Sequence, residues 1–153
     1  MELSRNEIVM IYNSIKDVDV KGMSADCKKA FIVNAIKLQP FAEKISAENI
    51  KVADSLKTDE YLKAFKKYLS AKAALDKEKN EKTIKAFDEA AEEFEPLYKE
   101  NEDKFAEITA KLDQVFSIDV EFIPMSQYLE FLEKGDKPIT YSNLGIFNKL
   151  FIW

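Results

Sequence analysis

Histidine is absent from this chain, cysteine and arginine occur once each, at Cys27 and Arg5, and glycine and proline are scarce at three and four residues in 153. Each scarcity removes a class of chemistry. Without histidine there is no imidazole general base and no usual zinc ligand set, so any metal would have to rely on carboxylates, carbonyls and water. A lone cysteine forms no intrachain disulfide. A lone arginine withholds the bidentate fork used for phosphate and guanine, and the net charge of −5 further argues against a nucleic-acid partner. No run of 18 apolar residues exists, and the opening MELSRNEIVMIY lacks a basic stretch followed by a long apolar one. Neither membrane insertion nor secretion is therefore expected, and the expected location is the cytoplasm.

What is present suits one soluble domain over residues 1–153: 46% apolar and 33% charged residues, with 22 lysines against 28 acids. A chain of this length can bury about 68–70% of the surface its unfolded form exposes, enough for a core without covalent or metal staples.

Leu3-Ser4-Arg5-Asn6-Glu7-Ile8 carries a helix start, with Ser4 and Glu7 as a capping box and Leu3 stapled to Ile8. The first helix should run from about 4 to about 16, with Arg5 exposed in its first turn. Val18 and Val20 alternate with polar residues ahead of Gly22, which suggests a short strand and turn. Ser24 can cap a second helix with a seam of Phe31, Ala35, Leu38, Ala42, Ile45, Asn49, Val52 and Leu56, and Pro40 should kink it. Thr58-Asp59-Glu60 is a fresh cap for a helix to about Lys77, and residues 76–82 are a polar reversal point.

The clearest period follows, at Ile84, Phe87, Ala91, Phe94, Tyr98, Asn101, Phe105, Ile108, Leu112 and Val115, with Asn101 as a polar register device. A helix over 81–113 would be roughly 50 Å long, so the molecule should be elongated. Residues 57–72 carry net +3 and residues 86–103 net −7, which favours antiparallel pairing of the two arms. Phe116, Ile118, Val120 and Phe122 then alternate as a strand, whose expected partner is Val18/Val20. Ser126 should cap a short helix ending at Gly135, and Ile139 should open a last one. The expected fold is mainly α with minor β. It is an elongated hairpin over 24–113, with a cap of short helices and a two-stranded element built from 1–23 and 114–153.

Glu89-x-x-Glu92 and Glu100-x-x-Asp103 have the spacing with which all-α nucleotide hydrolases hold magnesium, but both pairs lie on one helix, where they cannot converge on one ion. A solvated face explains them better. Asp17-x-Asp19-x-x-Gly22 fails as a calcium loop because Lys28 stands where the bidentate glutamate belongs. With no base available, Cys27 reads as a buried inert thiol. No catalytic, cofactor or metal residue is assigned. The candidate interaction surface comprises the acidic Glu89, Glu92, Glu93 and Glu95 and the apolar Phe147, Phe151 and Trp153, whose burial is expected either in the chain's own fold or in a partner.

The succession of "VDVKGM", "ADCKKAFIVNAIKLQP", a helical hairpin, "SIDVEF" and "ITYSNLGIFNKLF" resembles small phage and prophage proteins of uncharacterised function. The resemblance lies in layout and implies a product of the host cytoplasm or the virion, and the preference for lysine over arginine fits an AT-rich genome. The function expected is a non-enzymatic interaction or assembly module whose partner is a protein, in the first place a second copy of itself. Two alternatives are a phage inhibitor gripping a basic host surface with its acidic helix, and a metal-dependent all-α nucleotide hydrolase.

Overall fold

The computed structural model describes residues 1–135, 145 and 147–152. The fold is mainly α with a little β. Among the described residues, the bounded elements are five α-helices, α1 (Arg5–Ile15), α2 (Ala25–Ser55), α3 (Asp59–Lys77), α4 (Glu81–Lys111) and α5 (Met125–Lys134), and four short strands, β1 (Glu2–Ser4), β2 (Val115–Ser117), β3 (Ile123–Pro124) and β4 (Phe151–Ile152). The chain divides into two compact units, Met1–Ala47 with Asp113–Trp153, and Glu48–Leu112. The expected division placed all of the second helix with the hairpin. Its first part instead belongs with the termini, because Cys27, Phe31, Leu38 and Ala42 are core residues there.

In the first unit, the Ser4/Glu7 capping box forms as the sequence predicts. Ser4 Oγ accepts from the Glu7 amide at 3.3 Å, and the Ser4 amide donates to Glu7 Oε2 at 2.8 Å. Leu3 and Ile8 are fully buried. Arg5 is also buried, at 7% exposure, contrary to the expected exposed first-turn position. It lies on the same helix face as Ile8, three residues on, and that face is the one α1 turns into the core.

The strand pairing differs from the expectation. β2 pairs antiparallel with β1, not with Val18/Val20, in the register Leu3 opposite Phe116. Residues 16–17 and 21–22 form turns on either side of Val18–Val20, which join no strand, and Gly22 adopts φ +89°, a left-handed conformation that suits glycine. Beyond β2, residues 118–122 belong to no strand, and Ile118 and Glu121 find their bonds outside any ladder. The Ile118 amide donates to the Met1 carbonyl at 2.8 Å, and the Met1 ammonium donates to the Ile118 carbonyl at 2.7 Å. Asn34, fully buried on α2, donates Nδ2–H to the Glu121 carbonyl at 2.8 Å and accepts the Glu121 amide on Oδ1, also at 2.8 Å. A side-chain amide thus supplies the pair of bonds a neighbouring strand would have given. β3 and β4 pair in parallel, Ile123 opposite Phe151.

α5 begins one residue before Ser126, with Pro124 at the cap position and no side-chain cap bond, so Ser126 lies inside the helix rather than at its start. The helix expected from Ile139 falls outside the described residues, apart from its last few. Phe31, Tyr128, Phe147 and Phe151 form an aromatic cluster, with Phe31 and Tyr128 ring centroids 5.4 Å apart and Tyr128 and Phe151 5.6 Å apart.

The second unit holds the end of α2, then α3 and α4. Thr58 caps α3 through the Tyr61 amide, and Asn80 with Thr83 forms a capping box for α4. α3 and α4 pack antiparallel against one another, and α4 runs through Pro96 without ending. Of the residues described in this unit, only Ala64, Ala90 and Phe94 are buried hydrophobics.

Candidate functional site

The hairpin seam is built from alternating spacings of three and four. On α3 the inward series is Tyr61, Ala64, Tyr68, Ala71 and Leu75, and on α4 it is Thr83, Phe87, Ala90, Phe94, Leu97 and Asn101. Small Ala64 and Ala90 let the helices approach, and Phe94 fills the space, its ring centroid 5.2–5.4 Å from those of Tyr61, Phe65 and Tyr68. Relative to the expected seam, α4 keeps Phe87, Phe94 and Asn101 inward but turns Thr83, Ala90 and Leu97 in, in place of Ile84, Ala91 and Tyr98. Ile84 and Tyr98 consequently stand on the shoulder, 39% and 45% exposed.

The two shoulders of the hairpin differ in chemistry. On one, Lys67 Nζ bonds Glu93 Oε2 at 2.5 Å. The Glu93 hydrogen bond and charge, with a smaller contribution from Glu89, hold the Lys67 ammonium above its ordinary pKa. A residue two positions along a helix points to the other side, so Phe65, two before Lys67, and Ala91, two before Glu93, share the opposite shoulder. There Phe65 is flanked by Leu62 and Leu69, 47% exposed each, and Ala91 by Ile84 and Tyr98. The outcome is an apolar face spread over both helices. Isolated exposed leucines are ordinary, but apolar residues grouped on one face mark an interaction surface.

One end of the unit carries an open cavity of about 290 Å³, lined by Ala53, Leu56, Lys57, Tyr61, Tyr98, Asn101, Glu102 and Phe105. Its charged groups are engaged with neighbours. Lys57 bonds Asp54 at 2.7 Å, which raises its pKa, and Tyr98 donates to Glu102 at 2.7 Å, which raises that of the phenol. Such a lining offers apolar surface more than directed polar recognition.

Of the residues singled out from the sequence, Glu93 pairs with Lys67 and Glu89 lies near it, whereas Glu92 and Glu95 are exposed and form no ion pair among the described residues. Phe147 and Phe151 are not available to a partner: they are 3% and 8% exposed, packed on Phe31 and Tyr128. The aromatic end is apolar because it fills the first unit's core. Trp153 lies outside the described residues. Cys27 is fully buried, and burial pushes its thiol pKa up, as suits an inert group. Among the described residues no three acidic or cysteine side chains come together as metal ligands would.

Leu62, Phe65 and Leu69 were absent from the expected interaction surface. Their signal is the spacing i, i+3, i+7 beside the inward series, which makes the apolar arc of α3 wider than one neighbouring helix can cover. No helix among the described residues is long and apolar enough to cross a membrane. No family model, curated protein or solved structure matches the chain.

Proposed function

We propose that this chain is a non-enzymatic protein-interaction or assembly module, of the phage or prophage type its layout resembles, and that the α3–α4 hairpin is its working part. The observation that carries the reading is the contrast between the two shoulders. One is closed by an ion pair, and the other leaves Leu62, Phe65, Leu69, Ile84 and Tyr98 in solvent. The termini support a conventional core, whereas residues 48–112 bury very little by themselves. A partner laid on the apolar face would supply the missing burial, at roughly 25 cal/mol for each Å² removed from water.

The test is the double variant Leu62→Glu/Leu69→Glu. Both side chains are exposed, so its helical circular dichroism should match that of the parent protein. It should lose the larger species, self-assembled or hetero-complexed, that the parent forms when purified or in extract of its source cells. A parent that runs as a 17.6 kDa monomer in both settings overturns the reading.

A further inference from the structure

The geometry points to a second copy of this chain as the occupant of the apolar face. In that arrangement two hairpins form a four-helix bundle about a two-fold axis parallel to the helices, α3 of each copy lying on α4 of the other. The inference rests on the interaction reading above and adds to it the partner and its orientation.

Charge left over at the rims of the face carries the argument. On α3, Lys66 and Lys72 make no ion pair among the described residues, and on α4 neither do Asp88, Glu92 and Glu95, although Lys67–Glu93 shows that the arms are within reach of one another. The lysines on α3 and the carboxylates on α4 point away from the partner they already have. A face-to-face dimer has two simple two-fold arrangements. An axis across the helices stacks α3 on α3 and α4 on α4, which sets lysines against lysines and carboxylates against carboxylates. An axis along the helices stacks α3 on α4 twice, and both rims become complementary.

Height along the bundle agrees with the second choice. Lys67 and Glu93 lie level with each other, and so do Phe65 and Phe94, with ring centroids 5.3 Å apart. From the Lys67–Glu93 level, five residues toward the turn lead to Lys72 on one helix and Asp88 on the other. An axis along the helices preserves height, so Lys72 meets Asp88 of the second copy and Lys66 comes to the level of Glu95 of the second copy. Leu62 then comes level with Tyr98 of the second copy and Leu69 with Ala91, Phe65 lying between them, and neighbouring helices are antiparallel throughout, as in up-down bundles.

Sedimentation and light scattering on the intact protein test this. The parent should be a dimer, twice 17.6 kDa, at micromolar concentration. Lys66→Glu/Lys72→Glu and Asp88→Lys/Glu95→Lys should each weaken the dimer by at least about tenfold. An equimolar mixture of the two variants should restore it, because reversed α3 then meets reversed α4. A dimer of undiminished strength from either variant alone would show the crossed axis, in which like charges face like before and after reversal, and overturn the inference, as would a parent that stays monomeric. If the purified parent is monomeric but forms a larger species in cell extract that Leu62→Glu/Leu69→Glu abolishes, the second copy is refuted while the interaction reading stands. Circular dichroism of each variant separates failed association from failed folding.

Discussion

At the scale of single residues, Asn34 fixes the path of a whole segment. It is polar and fully buried, and both ends of its amide are bonded to the Glu121 backbone. Asn34→Ala would leave a buried amide and carbonyl unpaired as well as a void, so it should destabilise the protein by about 2–4 kcal/mol in equilibrium denaturation. Asn34→Asp keeps the acceptor, loses the donor and buries a charge, so its loss should be larger at neutral pH than in mild acid. Glu7 has a different signature. Its carboxylate is bonded first by Lys149 and then by the Ser4 backbone, and its pKa is lowered from the ordinary 4.5. A depressed folded-state pKa contributes stability that is present above the unfolded value and lost as pH falls through the folded one. Glu7→Gln should therefore melt below the parent protein at pH 7, and the gap should close as pH drops below 4.5 toward the folded value.

At the scale of elements, the reversal between α3 and α4 is set by Asn80 and Thr83, each bonding the other's backbone amide at 3.0 Å. Asn80→Ala should cost about 1 kcal/mol, read as a lower denaturation midpoint with an unchanged slope. The caps at Ser4 and Thr58 and the approximate ends of all three long helices were legible in the sequence because a cap is a local bond among residues three apart, whereas the polar stretch 76–82 marked the reversal without singling out Asn80. The phase of the seams was not legible. The residues that regular spacing selects, Ala35 over Asn34 and Tyr98 over Leu97, point to the shoulder, because a seam admits whatever fits beside its neighbour and α3 and α4 carry apolar residues on more than one flank. Strand pairing was illegible for another reason. Val18 and Val20 alternate as well as Glu2–Ser4 does, and only the tertiary path brings residues 2–4 beside 115–117. The acidic candidates were visible as charge, but which of them lacks a partner depends on helix phase. Phe147 and Phe151 were visible as apolar, yet composition alone does not distinguish a core from a docking surface.

At the scale of the whole molecule, burial is unequal. Every residue of the contiguous hydrophobic core lies in Met1–Ala47 or Asp113–Trp153, and only Ala64, Ala90 and Phe94 are buried hydrophobics in Glu48–Leu112. Local opening follows buried apolar contact, so amides of α3 and α4 should exchange with solvent faster than those of α1 and of α2 near Phe31. Their protection should rise with protein concentration if association covers the apolar face, while protection in the first unit stays constant. Mass-resolved hydrogen exchange at two concentrations reads both effects, and equal, concentration-independent protection of the two units would contradict the assignment.

The pairings that close the first unit also impose an order on synthesis. β1 waits for residues 115–117, and β3 waits for Phe151 and Ile152. The hairpin needs nothing beyond its own residues to form its seam, and local contacts of this kind fold quickly, whereas the chain emerges at about 5–20 residues per second. On the ribosome both helices of the hairpin therefore emerge while the first unit still waits for its closing strands, and neighbouring nascent chains on one message carry the same apolar residues, Leu62, Phe65 and Leu69, before either first unit has closed.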